Sequence, residues 1–154
     1  MENNKMRELV VSAIENGTVI DHIPNDMVST VIRILNLYKI SNEIVIGANL
    51  ESKKFGKKGI IKIKNKTFET SEISKIALVA PSATIIEIEN FEVARKFKVN
   101  VPDKIQGIVK CFNPKCVTNV EKTKTKFEVI DKENLKLLCH YCEKITKKEN
   151  VEFL

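Results

Sequence analysis

The sequence has no long apolar run. None of its apolar stretches approaches the roughly 20 residues that a membrane-spanning helix requires, and charged residues make up 30% of the chain. A membrane role is therefore not expected. The first residues, Met1–Lys5, lead into further charged residues rather than into the apolar core of a signal peptide. These absences predict a cytoplasmic protein in a reducing compartment.

The sequence also lacks the short motifs of common enzymes. It contains no nucleophile elbow, Walker loop, HExxH or GxGxxG motif, and its only histidines are His22 and His140. Asp21 and His22 are neighbours on a predicted strand, so their side chains are expected on opposite faces rather than as an acid–base pair. A small independent enzyme stays open as an alternative, but no catalytic constellation is readable in the chain.

Among the residues that are present, four cysteines in the last third of the chain are the most informative. They occur as Cys111-x4-Cys116 and, after 22 intervening residues, Cys139-x2-Cys142. Two short pairs joined by a longer segment can close a tetrahedral Zn²⁺ site with four thiolates. A disulfide framework is the competing interpretation, which a reducing compartment disfavours. We expect one structural zinc ion, because four thiolates leave no open position for substrate and no need for His140 as a ligand.

The position of the cysteines also predicts two domains in the 154-residue chain. Between Lys98 and Lys104 the alternating pattern lapses, and Pro102 cannot donate to a sheet ladder, so a linker is expected there. The predicted domains are 1–101 and 102–154. A unit of about fifty residues buries little core, which is a physical reason for it to carry a metal.

The first hundred residues alternate between strand and helix patterns. β-branched stretches predict strands at Leu9–Ile14, Thr18–Ile23, Glu43–Leu50, Gly59–Lys64, Thr84–Glu89 and Phe91–Phe97. Apolar residues at helical spacing predict a first helix that ends near Lys39 and a second helix from Thr70 to Pro81. The apolar face of the first helix is expected to comprise Val28, Val31, Ile32, Leu35 and Tyr38.

This order of elements predicts an α+β protein. Its N-terminal part is expected to be a ferredoxin-like α/β sandwich. In the C-terminal part, Lys126–Ile130 and Leu135–Leu138 alternate as a hairpin between the cysteine pairs. We therefore predict that a small antiparallel β domain of zinc-ribbon type follows the sandwich. The fold decides no function by itself.

Basic residues exceed acidic ones, and the formal net charge of +6 favours anionic partners. Lysines crowd the predicted central hairpin at Lys53, Lys54, Lys57, Lys58, Lys62 and Lys64. Such a run is either a solvated face or an anion site. In the second interpretation, Lys58 and Lys62 are four residues apart, and the ammonium groups of Lys62 and Lys64, if these residues share a strand face, would meet a triphosphate beside Asp21. The Asp21 carboxylate suits ribose hydroxyls.

A zinc-ribbon nucleic-acid-binding protein is the main alternative of another class, because such proteins share four-cysteine β modules and a basic pI. The aromatic residues argue against it. The C-terminal part carries Phe112, Phe127, Tyr141 and Phe153 without interleaved arginines. We therefore expect no nucleic-acid partner.

Several motifs occur together in an order that is typical of one family. They are Gly17–Pro24, Ile46–Leu50, Lys58–Asn65, Ala80–Thr84, the two cysteine pairs and Cys139–Lys144. With this combination the chain resembles, over essentially its whole length, the regulatory chain of aspartate carbamoyltransferase. The resemblance implies a non-catalytic allosteric subunit in feedback control of pyrimidine biosynthesis. Its N-terminal domain would dimerise and bind CTP, ATP or UTP, and its zinc domain would dock on the catalytic chain. The expected assembly is a dodecamer of two catalytic trimers and three regulatory dimers.

The resemblance also implies roles for individual residues. The base pocket and its apolar wall would comprise Val11, Ala13, Ile14, Val19, Ile88 and Val93. Ribose and base would contact Asp21 and Lys62, whereas the phosphates would face His22, Lys58 and Lys96. The surface for the catalytic chain would include Asn113, Tyr141, Glu143 and Lys144. Three positions that bear on nucleotide selectivity depart from the family pattern, namely Ser12, Ile86 and Phe91.

Overall fold

The computed structural model describes residues 13–53 and 56–154. The chain divides after Asn100 into two compact units. The first unit contains β1 (Gly17–Pro24), α1 (Val28–Ile34), β2 (Ile44–Ser52), β3 (Gly56–Lys64), α2 (Thr70–Val79), β4 (Thr84–Glu89) and β5 (Glu92–Lys98). Short 3-10 turns follow β1 and α1 at Asn25–Met27 and Leu37–Lys39. The first predicted strand, at 9–14, lies largely outside the described residues.

The first unit is built on one antiparallel five-stranded sheet of order β2-β3-β1-β4-β5. Its first four strands have the ferredoxin-like order, and β5 extends the sheet at one edge. On the inner face of the sheet, Ile20, Ile61, Ile63 and Ile85 are buried to 1% exposure or less. The predicted fold class is confirmed, because β-branched strands alternate with the two predicted helices in the expected order.

Helix α1 is shorter than the predicted helix. Leu35 caps it, and Asn36 then takes a left-handed conformation with φ 52°, which ends the helical path. Tyr38 follows on the 3-10 turn and is 83% exposed, so its predicted place on the buried face is wrong. The change of direction at Asn36 rotates Tyr38 away from the apolar stripe.

The helices are short throughout the described part of the chain. Helix α1 has 7 residues and α2 has 10. A reciprocal pair of hydrogen bonds between Glu69 and Glu72 caps the first turn of α2. No described helix is long and apolar enough to cross a membrane.

The connection between β4 and β5 is a two-residue turn. Asn90 and Phe91 both have positive φ values, 51° and 64°, as in the type I′ turns that join twisted hairpin strands. The predicted start of the last strand at Phe91 is therefore wrong, because β5 begins at Glu92. The Phe91 side chain is 66% exposed at this turn.

The second unit, from Val101 to Leu154, is a small antiparallel β domain, as predicted. Its elements are β6 (Lys104–Gln106), β7 (Val109–Lys110), α3 (Val117–Val120), β8 (Lys126–Asp131), β9 (Lys136–Cys139), β10 (Ile145–Lys147) and β11 (Glu152–Phe153). Strands β10, β9, β8 and β6 form one sheet, and β11 pairs with β7. Its core contains Ile105, Phe127 and Leu137, each at most 3% exposed.

Candidate functional site

The four cysteine sulfurs converge in the second unit. All four lie within 4.8 Å of one another, and the Sγ atoms of Cys111 and Cys142, and of Cys116 and Cys139, are 3.7 Å apart. Four thiolates around one ion at about 2.3 Å would have Sγ–Sγ distances of about 3.8 Å. A disulfide would bring two sulfurs to about 2.05 Å. The cysteines therefore have the arrangement of a four-coordinate metal site, and the disulfide alternative does not fit these distances.

The first cysteine loop is held by amide groups. The backbone N–H of Cys116 donates to the carbonyl oxygen of Asn113 at 3.0 Å. The side-chain amide of Asn119 on α3 donates to the carbonyl oxygens of Cys111 and Asn113 at 2.9 and 2.7 Å. The Thr118 hydroxyl lies 3.2 Å from Cys116 Sγ, where it can donate to a thiolate. These contacts define the conformation of the loop that carries both sulfurs.

The second cysteine loop reverses the chain at the end of β9. The N–H of Cys139 donates to the carbonyl oxygen of Lys144 at 3.0 Å, and its own carbonyl oxygen accepts from the N–H of Glu143 at 3.1 Å. Glu143 has a left-handed φ of 59°, which closes the loop. The loop therefore directs the sulfurs of Cys139 and Cys142 toward the first cysteine pair.

The acid–base properties of the thiols fit a bound cation. Burial raises the pKa of Cys111 and of Cys139 above the ordinary thiol value. Burial also raises the pKa of Cys142, but the backbone N–H of Lys144 and the Asn113 side chain outweigh it and lower the value to about 7. A bound cation would offset the desolvation of the buried thiolates. The donor set and its spacing therefore suit a structural metal ion.

A second cluster lies on the outer face of the sheet in the first unit, at a bulge in β1. Ile20 pairs with Ile61 of β3, but Ile23 pairs with Gly59, so β1 contains one extra residue. His22 takes a φ of 56° at this bulge. Ideal strand alternation is lost there, and the side chains of a bulged strand change direction.

The bulge brings Asp21 and His22 together. The backbone N–H of His22 donates to Asp21 Oδ1 at 2.6 Å, and His22 Nδ1 lies 4.0 Å from Asp21 Oδ2. The prediction that these side chains lie on opposite faces is therefore wrong. His22 Nδ1 also lies 3.2 Å from Thr84 Oγ1, and Ser82 Oγ donates to the His22 carbonyl oxygen at 3.0 Å.

Lys58 completes this cluster. Its ammonium group donates to Asp21 Oδ1 at 2.8 Å. The side chain of Lys58 is 19% exposed and that of Asp21 is 15% exposed, so the pair is partly withdrawn from water. Asp21 and His22 are adjacent in sequence and Lys58 is distant from them, and the three thus form one contiguous polar group.

An apolar patch adjoins the polar group on the same face. Ile14, Val19 and Ile60 form its buried centre. Leu50, Ile86 and Ile88 are half-buried and pack against that centre. Strand register places one row of side chains across the face, which comprises Lys62, Val19, Ile86 and Lys96. Val93 pairs with Ile88 one row away and is 60% exposed.

The remaining predicted residues have different positions. Ala13 is exposed and precedes β1 without belonging to a strand, whereas Val11 and Ser12 lie outside the described residues. Sequence reasoning missed Ile60 and Leu50 as members of the patch. The signal for Ile60 was available, because Lys58, Ile60 and Lys62 alternate along β3 and therefore share a face.

Together the polar group and the patch form an amphipathic surface. A ligand with a flat apolar part could lie on the patch, and its anionic part could reach the lysines. A carboxylate beside the lysines can also accept hydrogen bonds from ligand hydroxyl groups. The metal centre has a different character, because four thiolates would occupy every position of a tetrahedral ion.

Comparison with known proteins assigns both units to one family. Residues 9–100 match the family model described as the aspartate carbamoyltransferase regulatory chain, allosteric domain. Residues 103–152 match the model of the metal binding domain of the same regulatory chain. The two matches correspond to the two compact units of the structure.

Curated relatives agree over nearly the full length, and each is named aspartate carbamoyltransferase regulatory chain. The protein from Bacteroides thetaiotaomicron is 50% identical over 154 residues, which cover 100% of both chains. The protein from Pyrococcus horikoshii is 51% identical over 148 residues, which cover 95% of this chain and 97% of the relative. The protein from Thermococcus sibiricus is 52% identical over 146 residues, with coverages of 95% and 96%. The chain therefore belongs to the family of aspartate carbamoyltransferase regulatory chains.

Proposed function

We propose that this chain is a non-catalytic subunit that carries feedback control of pyrimidine biosynthesis to the catalytic chains of aspartate carbamoyltransferase. The predicted domain 1–101, which contains the first unit, is the effector domain and binds a nucleoside triphosphate of the CTP, ATP or UTP type. The predicted domain 102–154, which makes up nearly all of the second unit, is a structural zinc domain that contacts the catalytic chain. The observation that carries the proposal is the pairing of Lys58 with Asp21 beside an apolar patch, at 2.8 Å.

The apolar patch supports a place for the base. Ile14 and Val19 provide a buried floor, and Ile88 and Val93 continue it toward the edge strand. A nucleobase has flat faces that gain from leaving water, so an apolar wall suits it whichever base is attached. Asp21 lies at the polar end of the patch, where its carboxylate would accept hydrogen bonds from ribose hydroxyls.

The basic residues support a place for the phosphates. Without ligand, the carboxylate of Asp21 partly neutralises the half-buried ammonium of Lys58. Triphosphate oxygens would offer Lys58 stronger charge-assisted hydrogen bonds and would leave Asp21 to the sugar. Lys62 and Lys96 lie in one row across the sheet and would add positive charge on the same face as His22.

The thiolate site supports zinc as the bound metal. Soft thiolate ligands in a tetrahedral set select Zn²⁺ or iron–sulfur centres. Sulfurs around a single ion lie at the 3.7 Å observed here, whereas a multi-iron cluster separates them by its own width. When bound, the ion supplies folding energy and holds the two cysteine loops together. Four thiolates leave no open position, so the role is structural.

The surface around the cysteine loops supports contact with the catalytic chain. Asn113, Tyr141, Glu143 and Lys144 all belong to these loops or adjoin them. Tyr141 is 37% exposed and Phe112 is 45% exposed, and exposed aromatic side chains are frequent anchors in interfaces. The metal would therefore set the shape of the docking surface.

The edge of the first unit supports self-association through the effector domain. Among the described strands, β2 pairs with β3 alone and so has one open ladder edge. Ile46 on β2 is 44% exposed, and Tyr38 just before it is 83% exposed. Covering these side chains with a second copy would give the regulatory dimer. Three such dimers would join two catalytic trimers in a dodecamer.

Calorimetric titration of CTP into the metal-loaded chain tests the effector proposal. We expect saturable binding near one site per chain. Replacing Lys58 by alanine should weaken binding by about tenfold or more, because a charge-assisted hydrogen bond is lost. Lys57→Ala is the matched control, since Lys57 is its exposed neighbour on β3 and alternates to the other face. A flat titration on folded protein would overturn the proposal.

A further inference from the structure

Both strands that pair with β3 contain a bulge, and the two bulges face the same part of β3, residues 58–61. On one side, the segment Ile20–Ile23 of β1 faces Gly59–Ile61 with one extra residue. On the other side, the segment Gly47–Leu50 of β2 faces residues 58–60 of β3, again with one extra residue. Two bulges therefore border the stretch of β3 that begins with Lys58, and regular ladder pairing is interrupted on both of its edges.

A pair of asparagines joins the two irregular regions. Asn49 lies in the β2 bulge with a left-handed φ of 58°. Its backbone N–H donates to Asn25 Oδ1 at 2.7 Å rather than to β3. In return, the Asn25 amide donates to Asn49 Oδ1 at 2.5 Å. These two bonds satisfy a backbone donor that the bulge removes from the ladder, and they tie the turn after β1 to the edge strand.

This asparagine clamp lies directly beside Lys58. The cross-strand neighbours of Lys58 are Pro24 on β1 and Leu50 on β2. Pro24 precedes Asn25, and Leu50 follows Asn49, so the clamp bridges the two strands at the level of the Lys58 backbone. The other bulge carries Asp21, whose carboxylate accepts from Lys58 Nζ at 2.8 Å.

We propose that Asn25 and Asn49 are positioning residues that hold the Lys58 ammonium where it meets the phosphates of the effector. The inference rests on the proposed function, because it assigns the phosphate end of that site to Lys58. Neither Asn25 nor Asn49 belongs to the apolar patch that would hold the base. Loss of the clamp lets the two bulged strands shift relative to β3 and moves the ammonium away from the anion position. The phosphates then contribute less to the binding free energy, whereas the contribution of the nucleoside is unchanged.

The test uses the metal-loaded full-length chain and compares CTP with cytidine, each in competition against a fluorescent CTP analogue. Asn25→Ala should lower the affinity for CTP by about fivefold or more, as expected for the loss of a net hydrogen bond. The affinity for cytidine should be unchanged. Asn49→Gly keeps the left-handed backbone and the N–H, so it should give a smaller loss than Asn25→Ala.

Asn42→Ala is the matched control. The Asn42 amide donates to the carbonyl oxygens of Lys64 and Asn65 at 2.9 and 3.3 Å, at the opposite end of β3. Its removal costs a comparable pair of bonds far from Lys58 and should leave the ratio of CTP to cytidine affinity unchanged. Equal losses for CTP and cytidine in Asn25→Ala, or an unchanged CTP affinity, would overturn the positioning role. Absence of CTP binding to the unmodified chain would instead overturn the proposed function itself.

Discussion

Removal of the metal ion is expected to unfold the second unit and to leave the first unit folded. Three of the four cysteines, Cys111, Cys116 and Cys139, are only 1% exposed, so their sulfurs are part of the small core. Without a cation, the sulfurs no longer link the two cysteine loops, and only backbone contacts remain to hold these loops together. The first unit has its own sheet and its own buried core.

The magnitudes favour complete unfolding of the second unit. Structural Zn²⁺ contributes about 10–16 kcal/mol of apparent binding energy in small zinc modules at neutral pH. A unit of roughly fifty residues has a net stability of about 3–8 kcal/mol at 0.05–0.15 kcal/mol per residue. The energy that the metal supplies therefore exceeds the whole net stability expected for this unit. The chelated unit should be unfolded rather than merely loosened.

Hydrogen exchange of the full-length chain, before and after chelation, measures this directly. Amide protection should disappear in β8 and β9 and should persist in β1 and β3. Binding of CTP should survive, whereas assembly with the catalytic chain should be lost. Retained protection of β8 and β9, or retained assembly, after verified metal loss would refute the reasoning. Cys116→Ser offers a second route to the same state without a chelator.

Three further predictions test the sheet, the base wall and the thiols. A Cβ at Gly17, where φ is 141°, would overlap a backbone carbonyl oxygen of β3, so Gly17→Ala should cost about 3 kcal/mol of unfolding free energy. Gly56→Ala is the control, since φ is also positive there but no atom of the described residues, apart from the chain neighbours, lies within 4 Å of the added Cβ. Chemical denaturation should show a loss of about 1 kcal/mol of unfolding free energy for this variant; equal costs would contradict the overlap. Ile86→Asn adds a hydrogen-bonding group to the wall and should change the ratio of CTP to ATP affinity by about tenfold, and an unchanged ratio in calorimetry would remove Ile86 from the base site. Thiols of the unfolded, metal-free unit have an ordinary pKa of about 8.5, and burial raises the pKa of Cys111 and Cys139 further wherever the fold forms without metal, so in either state metal loading at pH 7 should release protons from these thiols. Metal affinity should therefore rise steeply between pH 7 and pH 9. Calorimetry in buffers of different ionisation enthalpy counts the protons that are released on metal binding, and a count of zero would contradict this prediction.

The sign of the pH effect follows from the thiol chemistry. The raised pKa values of Cys111 and Cys139 would stabilise a fold without metal only below the ordinary thiol pKa, and that contribution would be lost as the pH rises. Metal coordination reverses the sign, because it requires thiolates and lowers the effective pKa of each ligand. Stability of the loaded unit is then present at high pH and is lost as the pH falls through the thiol range.

Local patterns in the sequence were sufficient for the framework of the fold. The β-branched runs around Ile61 and Ile85 predict strands because each strand buries one face, and this signal is contained within a few residues. The spacing of the cysteines predicts the metal site for the same reason, since each pair spans a single tight loop. The two halves of the site come together through a hairpin that the sequence also signals.

The bulges could not be predicted from such patterns. A bulge depends on how three strands pair, and neither Asp21 nor His22 carries a local signal for the extra residue at that place. The assumption of ideal strand alternation therefore placed the side chains of Asp21 and His22 on opposite faces, whereas in the structure Asp21 Oδ2 and His22 Nδ1 are 4.0 Å apart. The clamp between Asn25 and Asn49 was missed for the same reason, because it exists only where two bulges face one strand.

Turn conformations account for the other differences. Asn36 ends α1 through a left-handed backbone, and apolar periodicity alone does not register that change. Phe91 is at a left-handed turn position that bulky residues rarely occupy, so β-propensity assigned it to a strand. In both cases the backbone conformation of one residue outweighed a side-chain pattern spread over several residues.

The most direct test of the regulatory role is the linkage between the two kinds of site in the assembled enzyme. The complex of this chain with its catalytic chain should be titrated with CTP in the absence and in the presence of a saturating active-site ligand. Because coupling between sites is reciprocal, CTP affinity should change by the same factor by which CTP changes the affinity of that ligand, about fivefold or more. An identical CTP affinity in both titrations would contradict the account.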